Sequence, residues 1–281
     1  MTLAAQGKGG DPGRTGDASG LDDEGSGGPD DPFLHHPGLR GRIADPDTSF
    51  WRRFSPCDLD AAVMGRGGPG NWRLGDDQIA GTQDAFLADH GADDLWVFAY
   101  GSLMWDPGFR FAEVRRGRAR GYARRFCLLD TLGGRGTPEA PGLMVALDRE
   151  AESQAVCAAV CDGLVFRLRA ADLATEITYL WQREMLAPAY LPVKVPVQTA
   201  QGQVRALAFA ADPAAAMIRT DLTRPEQVRL LATGKGMLGT SLHYIEALVA
   251  QLEALDIADP DVAGLLAEAR AFAATVAATG P

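Results

Sequence analysis

Apolar and polar positions change rhythm along the chain, and the changes mark its elements. Leu95-Trp96-Val97-Phe98-Ala99 is a run of large apolar residues, the composition of a buried strand. It breaks at Gly101-Ser102, resumes with Leu103-Met104-Trp105 and stops at Asp106-Pro107-Gly108. Residues 121–128 suit a strand with two faces, and Pro141-Gly142 turns into an apolar strand over 143–147. Residues 155–168 read as a buried strand, or two, interrupted at Asp162-Gly163. Residues 193–197 and 204–209 are strands joined by a polar turn. Between them the period becomes helical. Leu173, Ile177, Leu180 and Trp181 fall on one face, Glu176 and Glu184 fall among the polar positions, and Pro188 closes the helix. A shorter helix over 76–90 ends at Gly91, and residues 225–232, 242–255 and 261–275 form three helical pieces. Strands dominate the middle and helices the end, so the fold class is α+β rather than a regular βαβ array.

The first 48 residues belong to another regime, rich in Gly, Asp and Pro. Nine acidic side chains face four basic ones there, half of the chain's net charge of −10. Such a segment buries too little apolar surface to offset its ordering entropy, so residues 1–48 are predicted to be a disordered tail with His35-His36 solvated inside it. Residues 49–94 form an N-terminal extension with the short helix, whose patch Phe50-Trp51-Arg52-Arg53-Phe54 packs on the main domain. Residues 95–281 form that domain. With 46% hydrophobic residues a sizeable core is available.

The acidic balance argues against nucleic acid and anionic membranes as partners. Four cysteines in 281 residues imply no disulfide framework, and Cys157 and Cys161, in an Ala/Val-rich run, read as core thiols rather than metal ligands. With no apolar leader and no 18-residue apolar window, the chain reads as soluble and cytoplasmic. Arginines crowd residues 110–125, as a solvated rim or as an anion-attracting mouth.

Three features bear on chemistry. Gly234-Lys235-Gly236-Met237-Leu238-Gly239 satisfies G-x-G-x-x-G, but a helical stretch precedes it where a dinucleotide fingerprint needs a strand, so it reads as a helix-to-helix loop that lines a pocket. Ser102 lacks the G-x-S-x-G frame of a hydrolase nucleophile, and outside the tail only His90 and His243 are available as a base. Glu184 ends an amphipathic helix among apolar residues. It is either a surface acid paired with an arginine or a carboxyl whose proton affinity is raised by helix carbonyls and burial, the property an acid/base catalyst needs.

Taken in register, the run from Trp96 to Pro107, Arg124-Arg125-Phe126-Cys127, Arg135-Gly136-Thr137 with Pro141-Gly142, Arg183-Glu184-Met185 with Tyr190-Leu191-Pro192, and Gly239-Thr240 with Tyr244 resemble the ChaC family, the glutathione-specific γ-glutamylcyclotransferases. The resemblance covers residues 95–265. It departs at Ala99, where many members have glycine, and at His243 before Tyr244, and it gives the N-terminal extension no counterpart. It implies a small mixed β-barrel flanked by helices, with the site at the barrel mouth. It makes Ala99, Tyr100, Gly101, Ser102, Leu103 and Met104 the binding loop for the γ-glutamyl group, Glu184 the acid/base, and Arg135, Tyr190 and Tyr244 further binding residues. The implied reaction is cyclisation of the γ-glutamyl group of glutathione to 5-oxoproline with release of Cys-Gly, without cofactor or metal. A glutathione-binding pseudoenzyme and a cyclotransferase for γ-glutamyl amino acids or amines remain the alternatives.

Overall fold

The computed structural model describes residues 30–65, 70, 72–150 and 159–278. Among them, seven strands join in one sheet: β1 (Leu95–Ala99), β2 (Glu113–Arg120), β3 (Tyr122–Asp130), β4 (Gly142–Arg149), β5 (Val160–Leu168), β6 (Tyr190–Thr199) and β7 (Gly202–Ala211). Five of these close into a ring. β1 pairs antiparallel with β5, β5 with β2, β2 with β6 and β6 with β7, and β7 returns parallel to β1 through Trp96↔Ala206 and Val97↔Leu207. The result is the small mixed barrel that the resemblance implies. Closure satisfies the main-chain edges that an open sheet would expose. β4 joins β7 at Leu147↔Ala210, and β3 pairs antiparallel with β4 with a register shift between Phe126 and Leu128.

Strands covered on both faces explain the uninterrupted apolar runs. Val97, Phe98 and Ala99 are fully buried in succession, as are Leu164, Val165 and Phe166. The break expected at Asp162-Gly163 does not occur, and β5 runs straight through. The Asp162 carboxylate is held by Arg118 of β2 through two bonds of 2.8 Å. At Gly163 a Cβ would stand 2.2 Å from the Ala99 carbonyl oxygen, so this glycine permits a close approach of β1 and β5.

The arginine-rich stretch is neither a bare rim nor a mouth. It contains β2, with Val114 and Ala119 facing in, and several of its guanidinium groups are paired with carboxylates. Arg115 meets Glu113, Arg118 meets Asp162, Arg124 meets Asp259 and Arg125 meets Asp148.

Helices α1 (Phe50–Arg53), α2 (Pro56–Met64), α3 (Asp76–His90), α4 (Leu173–Glu184), α5 (Arg224–Thr233), α6 (Ser241–Ala254) and α7 (Pro260–Ala278) flank the barrel. The expected face of α4 is the buried one, with Leu173, Ile177, Leu180 and Trp181 inside. The Trp181 indole N–H donates to Thr82 Oγ1 (3.0 Å), which ties α4 to α3.

Part of the expected tail is ordered. Residues 1–29 lie outside the described residues, as does Cys157, but residues 30–48 contain 3-10 turns at Pro37–Leu39 and Pro46–Thr48. Leu39 and Ile43 are buried in the main core. His35-His36 is not simply solvated: His35 Nε2 lies 3.1 Å from a Glu113 carboxylate oxygen, and His36 Nε2 accepts the Arg116 N–H (2.8 Å). Composition undercounted this segment because two apolar anchors and backbone bonds to β2, such as Val114 N–H to the Pro32 carbonyl, suffice to dock it.

Candidate active site

Where β1 ends, the chain must leave the barrel, and it does so through Tyr100-Gly101 into a 3-10 turn over Ser102–Met104. Arg124, buried on β3, fixes this bend. Its Nε donates to the Tyr100 carbonyl (2.8 Å), while its Nη atoms reach Asp259 and the Asp162 carbonyl. Gly101 lies against the Tyr244 hydroxyl, so close that a Cβ would stand 3.0 Å from that oxygen. Beside the bend opens a cavity of about 270 Å³, lined by Ser102, Arg135, Arg183, Glu184, Tyr190 and Tyr244 among others.

α4 carries Glu184 to this cavity. Its side chain is only 12% exposed and its carboxylate receives one ionic contact, from Arg183 Nε at 3.0 Å. Burial raises the Glu184 carboxyl above the ordinary carboxylate range, and the charge and hydrogen bond of Arg183 oppose that rise only in part. The position at the helix C-terminus, among unsatisfied carbonyls, works in the same direction as burial. A carboxyl so placed holds a proton more tightly than a surface glutamate. That is the behaviour of an acid/base catalyst.

Arg183 is the residue that sequence reasoning missed. It was read as part of the Arg-Glu-Met motif without a role of its own. In the fold it holds Glu184 by Nε, donates Nη2 to Ser102 Oγ (2.7 Å) and Nη1 to the Asp106 carbonyl, and stacks on Trp51 at 4.6 Å from the ring centroid. The pairing of Glu184 with an arginine was one of the two readings of that acid, but neighbours in a helix face different directions, so spacing gave no sign that the same arginine would also reach Ser102 and Asp106.

Of the sequence-predicted binding residues, Ser102, Arg135, Tyr190 and Tyr244 line the cavity with Glu184. Ala99, Leu103 and Met104 are buried in the core instead, and the Met104 carbonyl is held by Gln251 Nε2 (2.9 Å). Tyr100 is buried and donates its hydroxyl to the Phe209 carbonyl (2.7 Å). Burial pushes the phenols of Tyr100, Tyr190 and Tyr244 above their ordinary range, and the nearby Glu184 charge adds to this, so all three are neutral donors at physiological pH. Burial lowers the Arg135 guanidinium, which lies 5.7 Å over the Tyr244 ring, and its buried Nη1 has no hydrogen-bond partner among the described residues. Such an atom costs stability unless a ligand supplies an acceptor.

The two competing motifs resolve plainly. Ser102 is bonded to an arginine rather than to a histidine, His90 Nε2 lies 3.0 Å from the Asp93 carbonyl oxygen, and His243 is exposed, so no nucleophile–base pair forms. The glycine pattern is a hairpin of β8 (Lys235–Gly236) and β9 (Gly239–Thr240), whose tip places Met237 and Leu238 on the cavity. Burial holds the thiols of Cys127 and Cys161 up at about 12 and about 11, protonated and inert.

Comparison with known proteins agrees with this geometry. A family model described as ChaC-like protein matches residues 95–271. The glutathione-specific gamma-glutamylcyclotransferase of Escherichia coli (strain K12) is 35% identical over 173 residues, spanning 61% of this chain and 71% of the relative. The glutathione-specific gamma-glutamylcyclotransferase 1 of Danio rerio is 33% identical over 176 residues, spanning 61% and 84%. A crystal structure of the yeast gamma-glutamyl cyclotransferase specific to glutathione shares the fold with a TM-score of 0.58 at 20% identity, over 64% of this chain and 97% of that one. The family match begins at Leu95, so α1, α2 and α3 fall outside it.

Proposed function

The chain belongs to the ChaC-like family, and from that membership we propose that it is a glutathione-specific γ-glutamylcyclotransferase with Glu184 as its acid/base. The α-amine of the γ-glutamyl group attacks its own γ-carbonyl, a five-membered lactam closes, and Cys-Gly leaves. Nucleophile and electrophile belong to one molecule, so the protein's main task is to hold the chain folded with the amine facing the carbonyl.

The observation that carries this reading is the buried Glu184 carboxyl, held by one arginine at the wall of a cavity. At neutral pH the substrate amine is an ammonium. Glu184 takes its proton and later returns one to the departing peptide nitrogen, a transfer that contributes about 10²–10⁴-fold when positioned. Arg135, through the unpartnered Nη1, receives the α-carboxylate of the glutamyl group. The neutral phenols of Tyr190 and Tyr244 and the N–H groups of Ser102 and Leu103, which begin a 3-10 turn, stand near to stabilise the developing oxyanion. No helix of the described residues is long and apolar enough to cross a membrane, and the reaction is proposed to take place in the cytoplasm.

The test is direct. The purified full chain mixed with glutathione releases 5-oxoproline and Cys-Gly, and Glu184→Gln binds glutathione but releases neither. Turnover retained by Glu184→Gln removes Glu184 from the mechanism. Binding without product in the parent protein identifies a pseudoenzyme, and turnover of γ-glutamyl amino acids in place of glutathione identifies the other alternative.

A further inference from the structure

The outer wall of the cavity comes from outside the family's span. Leu59, Val63, Trp72 and Leu186 form one buried apolar cluster with Phe54 and Leu132 packed against it, and all of these but Val63 line the cavity. At the rim, Phe50 and Met237 are 44% and 52% exposed. This wall is held in place. Arg52 pairs with buried Glu176, Arg73 pairs with Asp60 (2.8 Å), the Trp72 indole N–H donates to Asp60 (2.9 Å), and the Leu74 N–H donates to the Leu186 carbonyl (3.1 Å).

Charge divides the cavity. Among the described residues the cations lining it are Arg135 and Arg183, and Arg183 is already bonded to Glu184, Ser102 and Asp106. The half facing α1 and α2 is mainly apolar, and the cation that reaches it, Arg183 stacked on Trp51, already has its partners. We propose that this half is a binding subsite for an apolar substituent on the substrate's cysteine sulfur, and that S-alkyl and S-aryl thioethers of glutathione are cyclised alongside glutathione itself. The proposal rests on the cyclotransferase reading and adds the substrate class. Position at Glu184 fixes the γ-glutamyl end. Two branches then leave the cysteine. The glycine carboxylate stays in water, because the outer wall's cation, Arg183, is already bonded to Glu184, Ser102 and Asp106, and the sulfur turns to the apolar wall. The chemistry is unchanged: the lactam C–N bond forms, the γ-amide C–N bond breaks, the amine proton passes by way of Glu184 to the leaving nitrogen, and the product is the S-substituted Cys-Gly.

The experiment measures kcat/KM for 5-oxoproline release by the full chain from glutathione and from its S-methyl, S-butyl and S-hexyl thioethers. Burial of one methylene is worth roughly fourfold, so a rise of at least about tenfold from S-methyl to S-hexyl is expected. The paired substitution Phe50→Ser with Met237→Ser flattens that rise to less than about threefold. A flat or falling series while glutathione is still cyclised overturns the subsite and leaves the cyclotransferase reading standing. A rise untouched by the paired substitution also overturns the placement. Release of 5-oxoproline from none of the four overturns both.

Discussion

α4 carries one buried carboxylate at each end, and the two have opposite fates. In the first turn, Glu176 is 2% exposed and held on both oxygens: Arg52 Nη1 and Nη2 reach them at 2.6 and 3.3 Å, and the Arg110 N–H adds a third bond at 2.7 Å. The helix N-terminus also favours an anion there. In the last turn, Glu184 has one arginine contact, an unfavourable helix end and a cavity in front of it. Burial alone therefore does not make a catalytic acid. A carboxylate held by several donors on both oxygens becomes a fastener, and one left under-coordinated keeps the capacity to move a proton.

The largest effects come from exchanging each acid for its amide. Glu184→Gln is expected to lower kcat by about 10²–10⁴-fold with its circular-dichroism spectrum intact. Glu176→Gln is expected to lower stability by about 3–5 kcal/mol, because Arg52 is left buried without its partner, while the folded fraction retains most of its kcat. Denaturant titration and 5-oxoproline release, measured on both variants, separate the two roles. A Glu176→Gln protein that unfolds no earlier, or a Glu184→Gln protein that still turns over, breaks the comparison.

The next effect concerns Arg183. Arg183→Leu removes the positive charge that opposes the burial of Glu184, so the Glu184 carboxyl rises further. The acidic limb of kcat/KM against pH is expected to move to higher pH, with activity at pH 7 falling at least roughly tenfold. Arg183→Lys keeps a charge but loses the fork to Ser102 and Asp106, so it restores the limb more than the rate. A smaller change of the same sign is expected for Trp51→Ala, which removes only the stacking partner.

These contrasts mark how far the sequence could be read. Four of the five barrel strands and the α4 face were legible because apolar period and strand length are local signals, and Glu184 was singled out because its motif lies in register with four others. Arg183 and Glu176 were not, since their partners Trp51 and Arg52 lie more than 120 residues away and outside the family's span. β2 was hidden by its arginines, whose acidic partners on β5 and elsewhere appear only once the strands pair. Ala99, Leu103 and Met104 entered the binding loop by resemblance and proved to be core. The backbone of that loop can face a ligand while its side chains face inward, and alternation within a 3-10 turn cannot be read from four residues.

The smallest effect is the most specific to Glu184. A carboxyl whose folded value is raised contributes stability that is fully present below its unfolded value, ordinarily 4.5, and is lost as pH rises through the higher folded value. Glu184→Gln has no such proton to lose. Whatever constant offset the substitution introduces, the melting temperature of the variant minus that of the parent should therefore climb as pH rises from below 4.5, and level off once Glu184 is ionised in the folded parent. A difference that stays flat across that window means that Glu184 is solvated as freely in the fold as in the unfolded chain. A difference that falls with pH means that Arg183 stabilises the anion more than burial destabilises it. The second result would make Glu184 a fastener like Glu176, and after either the asymmetry of α4 would have to be sought in the cavity alone.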